Sequence, residues 1–280
     1  MKSVQITGVE VLSFDEMKKM LPPRMVDSHK GDYGHVLLVG GSLGFAGAIC
    51  LAGESALRTG AGLVSIATQV EHASIITMNR PELMCHGIES QIELKRLAKR
   101  CTVLAIGPGL GKGIWSQHML AGALELKLPI VIDADGLNIL SMEQRKCDQW
   151  VLTPHAGEAA RLLNCKIRDI QDDRRSAIKE VQQTYGGVVV LKGAGSLIYG
   201  GSGTIYQCQA GNPGMASGGM GDVLTGVIAG LIAQGNGLLE ATKLGVLIHA
   251  IAGDRAAKSG QKGMLASDLI RHIRELMNEN

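Results

Sequence analysis

The stretch GNPGMASGGMGDVLTGVIAGLIAQG, residues 211–235, concentrates residue types that handle phosphate. Gly218, Gly219 and Gly221 leave the backbone bare where an apolar helical pattern begins, so several amide N–H groups can converge on one anion at a helix N-terminus. Asp222 falls in the first turn of that helix. The helix dipole alone favours an acidic residue there. Beside a phosphate-sized hole, however, a carboxylate also fits a base that takes a hydroxyl proton while the hole holds a transferring phosphoryl group. Asp133 and Asp135 in IDADGLN stand two apart at the end of an apolar run. On a strand that spacing turns both side chains to one face. A carboxylate pair there suggests a metal site, and a plain loop role is equally open.

The commoner phosphate and hydrolase motifs are missing. No G-x-x-x-x-G-K-[ST] occurs; Gly107 to Lys112 comes nearest, with short spacing and no Ser or Thr after it. After the first strand candidate, Gly41, Gly44 and Gly47 are spaced by threes, which is not G-x-G-x-x-G. H-E-x-x-H and G-x-S-x-G are absent too. A P-loop NTPase, a Rossmann dehydrogenase, a zincin and an α/β-hydrolase are all disfavoured.

Such groups need a scaffold that gathers them. From His35 onward, near-continuous apolar runs at 35–41, 63–68, 102–107, 129–135, 150–154 and 188–193 suit strands buried on both faces. Helical patterns at 46–59, 115–127, 156–164 and 173–185 lie between them. The alternation predicts an α/β fold with a mostly parallel central sheet and helices on both faces. The last third holds two short strand candidates, 196–199 and 204–208, then helices from about 222, 239 and 266. No linker or repeat is visible, so residues 1–280 read as a single domain. In open α/β sheets ligands gather at the carboxyl ends of strands, and here those ends read GGS, IGPGLG, DADGL, TPHAGE and KGAG. Any one could be an ordinary turn. Five together mark a crevice.

Composition narrows the partners. The 280 residues carry a net charge of +2 and include only two Phe, two Trp and four Tyr. Neither an electrostatic footprint for nucleic acid or membrane surface nor a base-stacking face is present. The 38 glycines show no collagen period. Six scattered cysteines without C-x-x-C spacing read as reduced thiols of a cytoplasmic protein. The eight His and twelve Met show no ligand spacing. The start, MKSVQITGVEVLSFDEMKKM, lacks a signal-peptide run, and the apolar stretch 223–233 is too short to span a membrane.

SHKGDYGHVLLVGGSLGFAGA, IGPGLG, DADGLN, LTPHAGEAARLL, VVVLKGAGSLI and NPGMASGGMGDVLTG follow one another from about Ser28 to the C-terminal helices. In that order they resemble the ADP-dependent NAD(P)H-hydrate dehydratase family of the ribokinase-like superfamily. The resemblance implies a ribokinase-like fold and a lyase reaction. It implies ADP as the phosphoryl-donor co-substrate, Mg²⁺ as the cofactor and hydrated NADH or NADPH (NADHX, NADPHX) as the substrate. It implies Asp222 as base on the hydrate hydroxyl, with the amides around Gly219 and Gly221 stabilising the transferring group. Lys192, Gly193, Ala194, Gly195 and Ser196, together with Gly221, would hold the ADP; the family more often has Thr where Ser196 stands. Ala48, Gly107, Gly109, His155 and Asp222 would line the substrate pocket, the small residues letting a large nucleotide approach the backbone. His155 replaces the Asn of the wider TPNxxE pattern, and Glu158 would organise Mg²⁺ through water. Plainer alternatives are a helix cap for His155, a surface position for Glu158 and a solvent-facing strand end for Lys192. Lys30 and Gly31 match a family signature, with closure over the phosphates as their one suggested role. The 27 residues before Ser28 match little and are too short for an epimerase domain, which implies an NAD(P)H-hydrate epimerase on a separate chain. A homo-oligomer, a tetramer by resemblance, is expected. The competing readings are a vitamin kinase acting on a hydroxymethylpyrimidine or hydroxyethylthiazole, which would stop at the phosphate ester, and a nucleotide sensor, which would lack the base or the anion hole.

Overall fold

Strands buried on both faces are what the apolar runs become. In the computed structural model, which describes residues 8–279, ten strands form one sheet. They are β1 (Val9–Val11), β2 (His35–Val39), β3 (Leu63–Thr68), β4 (Met84–Gly87) and β5 (Val103–Ile106), followed by β6 (Ile130–Ile132), β7 (Trp150–Leu152), β8 (Val188–Leu191), β9 (Ser196–Tyr199) and β10 (Ile205–Cys208). Their order across the sheet is β1-β10-β9-β8-β7-β6-β5-β2-β3-β4. All pairings are parallel except those of β9, which runs against β8 and β10. Residues 1–7, part of the segment read as lacking a signal peptide, lie outside the described residues.

Helices cover both faces. They are α1 (Phe14–Met17), α2 (Ala46–Thr59), α3 (Val70–Asn79), α4 (Gln91–Ala98), α5 (Ile114–Leu124) and α6 (Ala134–Leu140), then α7 (Ala156–Leu162), α8 (Ile167–Asp172), α9 (Arg174–Tyr185), α10 (Met220–Ala233), α11 (Leu238–Ala256) and α12 (Ala266–Leu276). Strand side chains alternate between two cores. Val36 and Leu38 of β2 join the α2, α10, α11 and α12 side, while Leu37 and Val39 join the α5, α6, α7 and α9 side. The most apolar stretch of the chain is thus α10, buried from Val223 to Ala233 between the sheet, α2 and α11. Among the described residues, no helix is long and apolar enough to cross a membrane.

Edge strands β1 and β4 escaped the sequence pattern because they are only partly buried and carry no continuous apolar run. Helices α1, α3, α4, α6 and α8 were likewise not anticipated. One boundary error has a chemical consequence. The run 129–135 ends as a strand at Ile132; Asp133 is the N-cap of α6 and Ala134 takes a positive φ of 46°. The two-residue periodicity therefore does not apply, and Asp133 and Asp135 part company.

The chain order reverses between β2 and β5, since β3 and β4 lie to one side of β2 and β5 to β8 to the other. The loops leaving β2 and β5 thus face each other at a topological switch point, where open sheets hold ligands.

Candidate active site

The Asp133 carboxylate, only 1% exposed, ties four segments together. Its Oδ1 accepts from Lys192 Nζ at 2.7 Å and Thr153 Oγ1 at 2.8 Å, and its Oδ2 from Thr225 Oγ1 at 2.9 Å. The ends of β6, β7 and β8 and the second turn of α10 meet in that one group. Asp135 points elsewhere, accepting from the Gly111 amide at 3.0 Å and the Asn138 side chain at 3.1 Å. Thr153, Thr225 and this hub role of Asp133 were not foreseen. Threonine beside a glycine turn carries no signal until the strand order brings it to a carboxylate.

Lys192 does not reach into solvent. Besides Asp133, it lies 3.6 Å from Glu158 Oε2. Burial works against its charge, but Asp133, Glu158 and Asp222 together outweigh that and hold the ammonium above its ordinary value. Glu158 is buried, 6% exposed, so its reading as a surface residue fails: the first turn of α7 faces the crevice. The Glu158 side chain accepts the His155 amide at 2.8 Å, while His155 Nδ1 accepts from the amides of Gly157 at 2.9 Å and Glu158 at 3.3 Å. His155 is therefore the N-cap of α7, as the plainer alternative had it. With Nδ1 an acceptor, the ring proton falls on Nε2, 3.4 Å from Glu158 Oε1, and the ring remains largely exposed.

Asp222 sits in the first turn of α10, one turn before Thr225. Burial, reinforced by Asp133 and offset by Lys192, pushes its carboxyl up to about 7. Gly219 is the N-cap of α10 at φ +91°, where an added Cβ would come within 2.6 Å of Leu51 Cδ1. Around Gly218 space is open. A Cβ on Gly221 would stand 3.3 Å from Asp133 Oδ2 and 3.4 Å from Lys192 Nζ, so this turn borders the charge cluster directly.

The segment 192–196 joins β8 to β9. Arg174, at the start of α9, clamps it by donating to the carbonyls of Ala194 at 2.6 Å and Leu191 at 3.0 Å. The Ser196 hydroxyl closes the turn on the Gly193 carbonyl at 3.0 Å. Nothing in the sequence distinguished Arg174 from a surface arginine. Gly193 and Ala194 are exposed at the rim.

On the other side, Gly107 and Gly109 are small for a reason that differs from the expectation. A Cβ on Gly107, at φ +131°, would overlap the Asp133 carbonyl oxygen; one on Gly109 would stand 2.9 Å from Phe45 Cβ and 3.1 Å from Ala48 Cβ. The close approach is of chain to chain. Ala48 is half-buried in the first turn of α2. Lys30 and Gly31 lie in a 3₁₀ turn before β2, packed beside Gly62 at the start of β3. That is the pole opposite Asp222, so within this chain they do not close over its phosphate site. A cavity of about 460 Å³ lined by Leu126, Arg145, Trp150 and neighbours also lies at that pole, and its walls hold no carboxylate that could act with Asp222.

Among the described residues no group of three or more His, Cys, Asp or Glu side chains forms a metal cage. The hard oxygen donors of buried Glu158 and half-buried Asp222 fit a Mg²⁺ that keeps most of its waters and rides on phosphates.

A parallel sheet whose switch point faces a glycine-capped helix, with a carboxylate in its first turn, places the molecule in the ribokinase-like class of α/β proteins. Comparison with known proteins makes this specific. The profile of the NAD(P)H-hydrate dehydratase family matches residues 36–275. The bifunctional NAD(P)H-hydrate repair enzyme Nnr of Coxiella burnetii is 50% identical over 97% of this chain and 56% of its own. The Escherichia coli enzyme of the same name is 42% identical over 98% of this chain and 53% of its own. The ADP/ATP-dependent NAD(P)H-hydrate dehydratase of Bacillus subtilis, co-crystallised with ATP/Mg²⁺, superposes with a TM-score of 0.85 at 28% identity, covering 96% of this chain and 97% of that one. The chain belongs to the NAD(P)H-hydrate dehydratase family. It spans about half the length of the curated relatives it matches, and the expectation of an epimerase on a separate chain stands beside relatives whose names are bifunctional. A hydroxyethylthiazole kinase from Pyrococcus horikoshii, with a TM-score of 0.62 at 15% identity over 94% of this chain and 92% of that one, shares the fold alone.

Proposed function

We propose that this chain dehydrates (6S)-NADHX or NADPHX to NADH or NADPH, consuming ADP and releasing AMP and phosphate. The observation that carries the reading is Asp222 in the first turn of α10, held near neutrality beside a glycine turn and a lysine–carboxylate cluster. Hydroxide is a poor leaving group, so the substrate hydroxyl must be activated. Asp222 takes its proton as the oxygen attacks the terminal phosphorus of ADP; the phosphorus–oxygen bond to AMP breaks. The amides of Gly219 and Gly221 face the charge that develops on the transferring group, and Lys192 supplies a fixed positive charge. In the resulting phosphate ester, the ring-nitrogen electron pair expels phosphate. Loss of a proton from the adjacent ring carbon then restores the dihydronicotinamide.

In this reading Lys192 to Ser196 hold the nucleotide, the exposed His155 ring contacts the hydrate, and Ala48, Gly107 and Gly109 back the substrate side. Mg²⁺, held by Glu158 through water, would neutralise charge on the donor phosphates. In-line transfer requires the hydroxyl to face both Asp222 and the terminal phosphate, so one epimer reacts and an NAD(P)H-hydrate epimerase is the functional partner. Residues 1–280 act as one domain. Six free thiols support a reducing, cytoplasmic setting, and the apolar Ile75, Met78 and Met84, exposed on α3 and edge strand β4, support assembly into a homo-oligomer, a tetramer in our reading.

The test is direct. Purified protein given ADP, Mg²⁺ and NADHX restores the near-ultraviolet absorbance of NADH, with AMP and phosphate released in equal amounts. Asp222→Asn cuts turnover by about 10²-fold or more and leaves ADP affinity nearly unchanged. Because the base must be unprotonated, turnover rises with pH through about 7, the value that burial beside Asp133 gives Asp222. Phosphorylation of a pyrimidine or thiazole alcohol without action on NADHX would sink the dehydratase reading.

A further inference from the structure

Phe45 is the one aromatic among the large hydrophobic side chains exposed in the described residues, at 59%, and Leu43 beside it is 61% exposed. Scattered exposed hydrophobics need no explanation, but this pair sits on a turn that is pinned in place. The Gly41 amide donates to the Pro108 carbonyl at 3.1 Å and the Ser42 amide to the Gly109 carbonyl at 2.6 Å. The Phe45 amide closes the turn on the Ser42 carbonyl at 2.8 Å, and the Phe45 carbonyl accepts the Ala48 amide at 3.2 Å. The loops after β2 and β5 are thus stitched together at the switch point, with an unsatisfied aromatic ring on top.

Helix α2 measures the distance from this ring to the chemistry. Leu51 flanks Gly219 of the anion hole, and Ala48, one turn earlier, flanks Gly109. Phe45 lies six residues before Leu51, about 9 Å along the axis at the usual helical rise. The nucleotide segment is on the far side: β8 is separated from β2 by β7, β6 and β5, four inter-strand steps or roughly 19 Å. Phe45 therefore lies on the side of the crevice away from the 192–196 segment. A dinucleotide whose nicotinamide ring reacts at Asp222 is longer than 9 Å when outstretched, so its remote end is within reach of this rim.

We propose that Leu43 and Phe45 form a stacking platform for the adenine ring of the NAD(P)H-hydrate substrate, remote from the reacting nicotinamide. The inference rests on the dehydratase reading of the crevice. Adenine is the planar, apolar-faced part of that substrate farthest from the reacting carbon, and an aromatic face fixed by backbone hydrogen bonds loses little freedom on stacking. The platform would make this side selective for dinucleotides over mononucleotides without reading the chemistry itself.

Equilibrium titrations followed by dihydronicotinamide fluorescence test this independently of turnover. NADH and its mononucleotide counterpart NMNH, which lacks the adenylate, are each titrated with ADP at saturation, so that adenine cannot occupy the nucleotide side. Phe45→Ala weakens NADH binding about 3- to 10-fold, leaves NMNH binding within twofold, and leaves ADP binding unchanged as the measure of intact folding. Phe45→Trp restores NADH affinity. Equal weakening of NADH and NMNH, an unchanged NADH affinity, or failure of Phe45→Trp to rescue would each overturn the platform while leaving the dehydratase reading intact. Wild-type protein that binds neither NADH nor NMNH would overturn both.

Discussion

On the β7–β8 side of the crevice, Asp133, Thr153, Lys192, Glu158 and Thr225 are joined through side-chain hydrogen bonds and ion pairs; on the β2–β5 side, Gly107 and Gly109 are joined to Asp133, Phe45 and Ala48 by bare backbone contact. The first wall is built from charge, the second from the absence of side chains. The difference is chemical as well as architectural. Three carboxylates, Asp133, Glu158 and Asp222, surround one ammonium. Within that cluster burial pushes the Asp222 carboxyl up to about 7, with Asp133 adding to the rise and Lys192 offsetting it. The charged wall adjusts the Asp222 carboxyl; the glycine wall only has to stay where it is.

That contrast can be broken by substitution. Lys192→Met leaves the Asp133 carboxylate buried without its cation, at a cost on the order of 3–5 kcal/mol at neutral pH. Because Lys192 lowers the Asp222 value, its removal moves the rising limb of the pH–turnover profile above 7. The stability loss shrinks in acid, where Asp222, raised to about 7 by burial, is protonated and needs no ammonium beside it, and urea melts at pH 8 and pH 4 check this. A penalty equal at both values would mean the wall is held by shape, not charge. Gly107→Ala should behave in the opposite way. Its Cβ overlaps the Asp133 carbonyl, and φ +131° strains any L residue, so the cost is about 2–4 kcal/mol and the same at both pH values. Arg174→Ala gives the smallest effect. Two hydrogen bonds to the carbonyls of Leu191 and Ala194 are lost, for about 1–3 kcal/mol. ADP affinity falls several-fold in calorimetry while the KM for the hydrate is untouched; a change in the hydrate KM instead would show that the two walls are coupled.

The sequence by itself determined the elements whose cause is local. Six strands were legible because a strand covered on both faces must be apolar throughout, and Gly219 to Asp222 were legible because a glycine turn feeding an apolar helix is a short-range pattern. The family motifs, read in order, carried the superfamily and singled out Asp222, Lys192, His155 and Glu158 as candidates. Edge strands β1 and β4 were invisible because half-exposed strands carry mixed side chains.

Only the tertiary structure decided what those residues touch. Asp133 and Lys192 are 59 residues apart and Asp133 and Thr225 are 92 apart; they meet because β6, β7 and β8 lie side by side and α10 is driven onto them by its apolar face. The same arrangement buried Glu158 and turned Gly107 into a backbone contact. Local sequence fixes where a strand stops and a helix starts, since those depend on neighbours within a few residues. The partners of a carboxylate, and with them its pKa, depend on strand order, which is set by how whole faces pack.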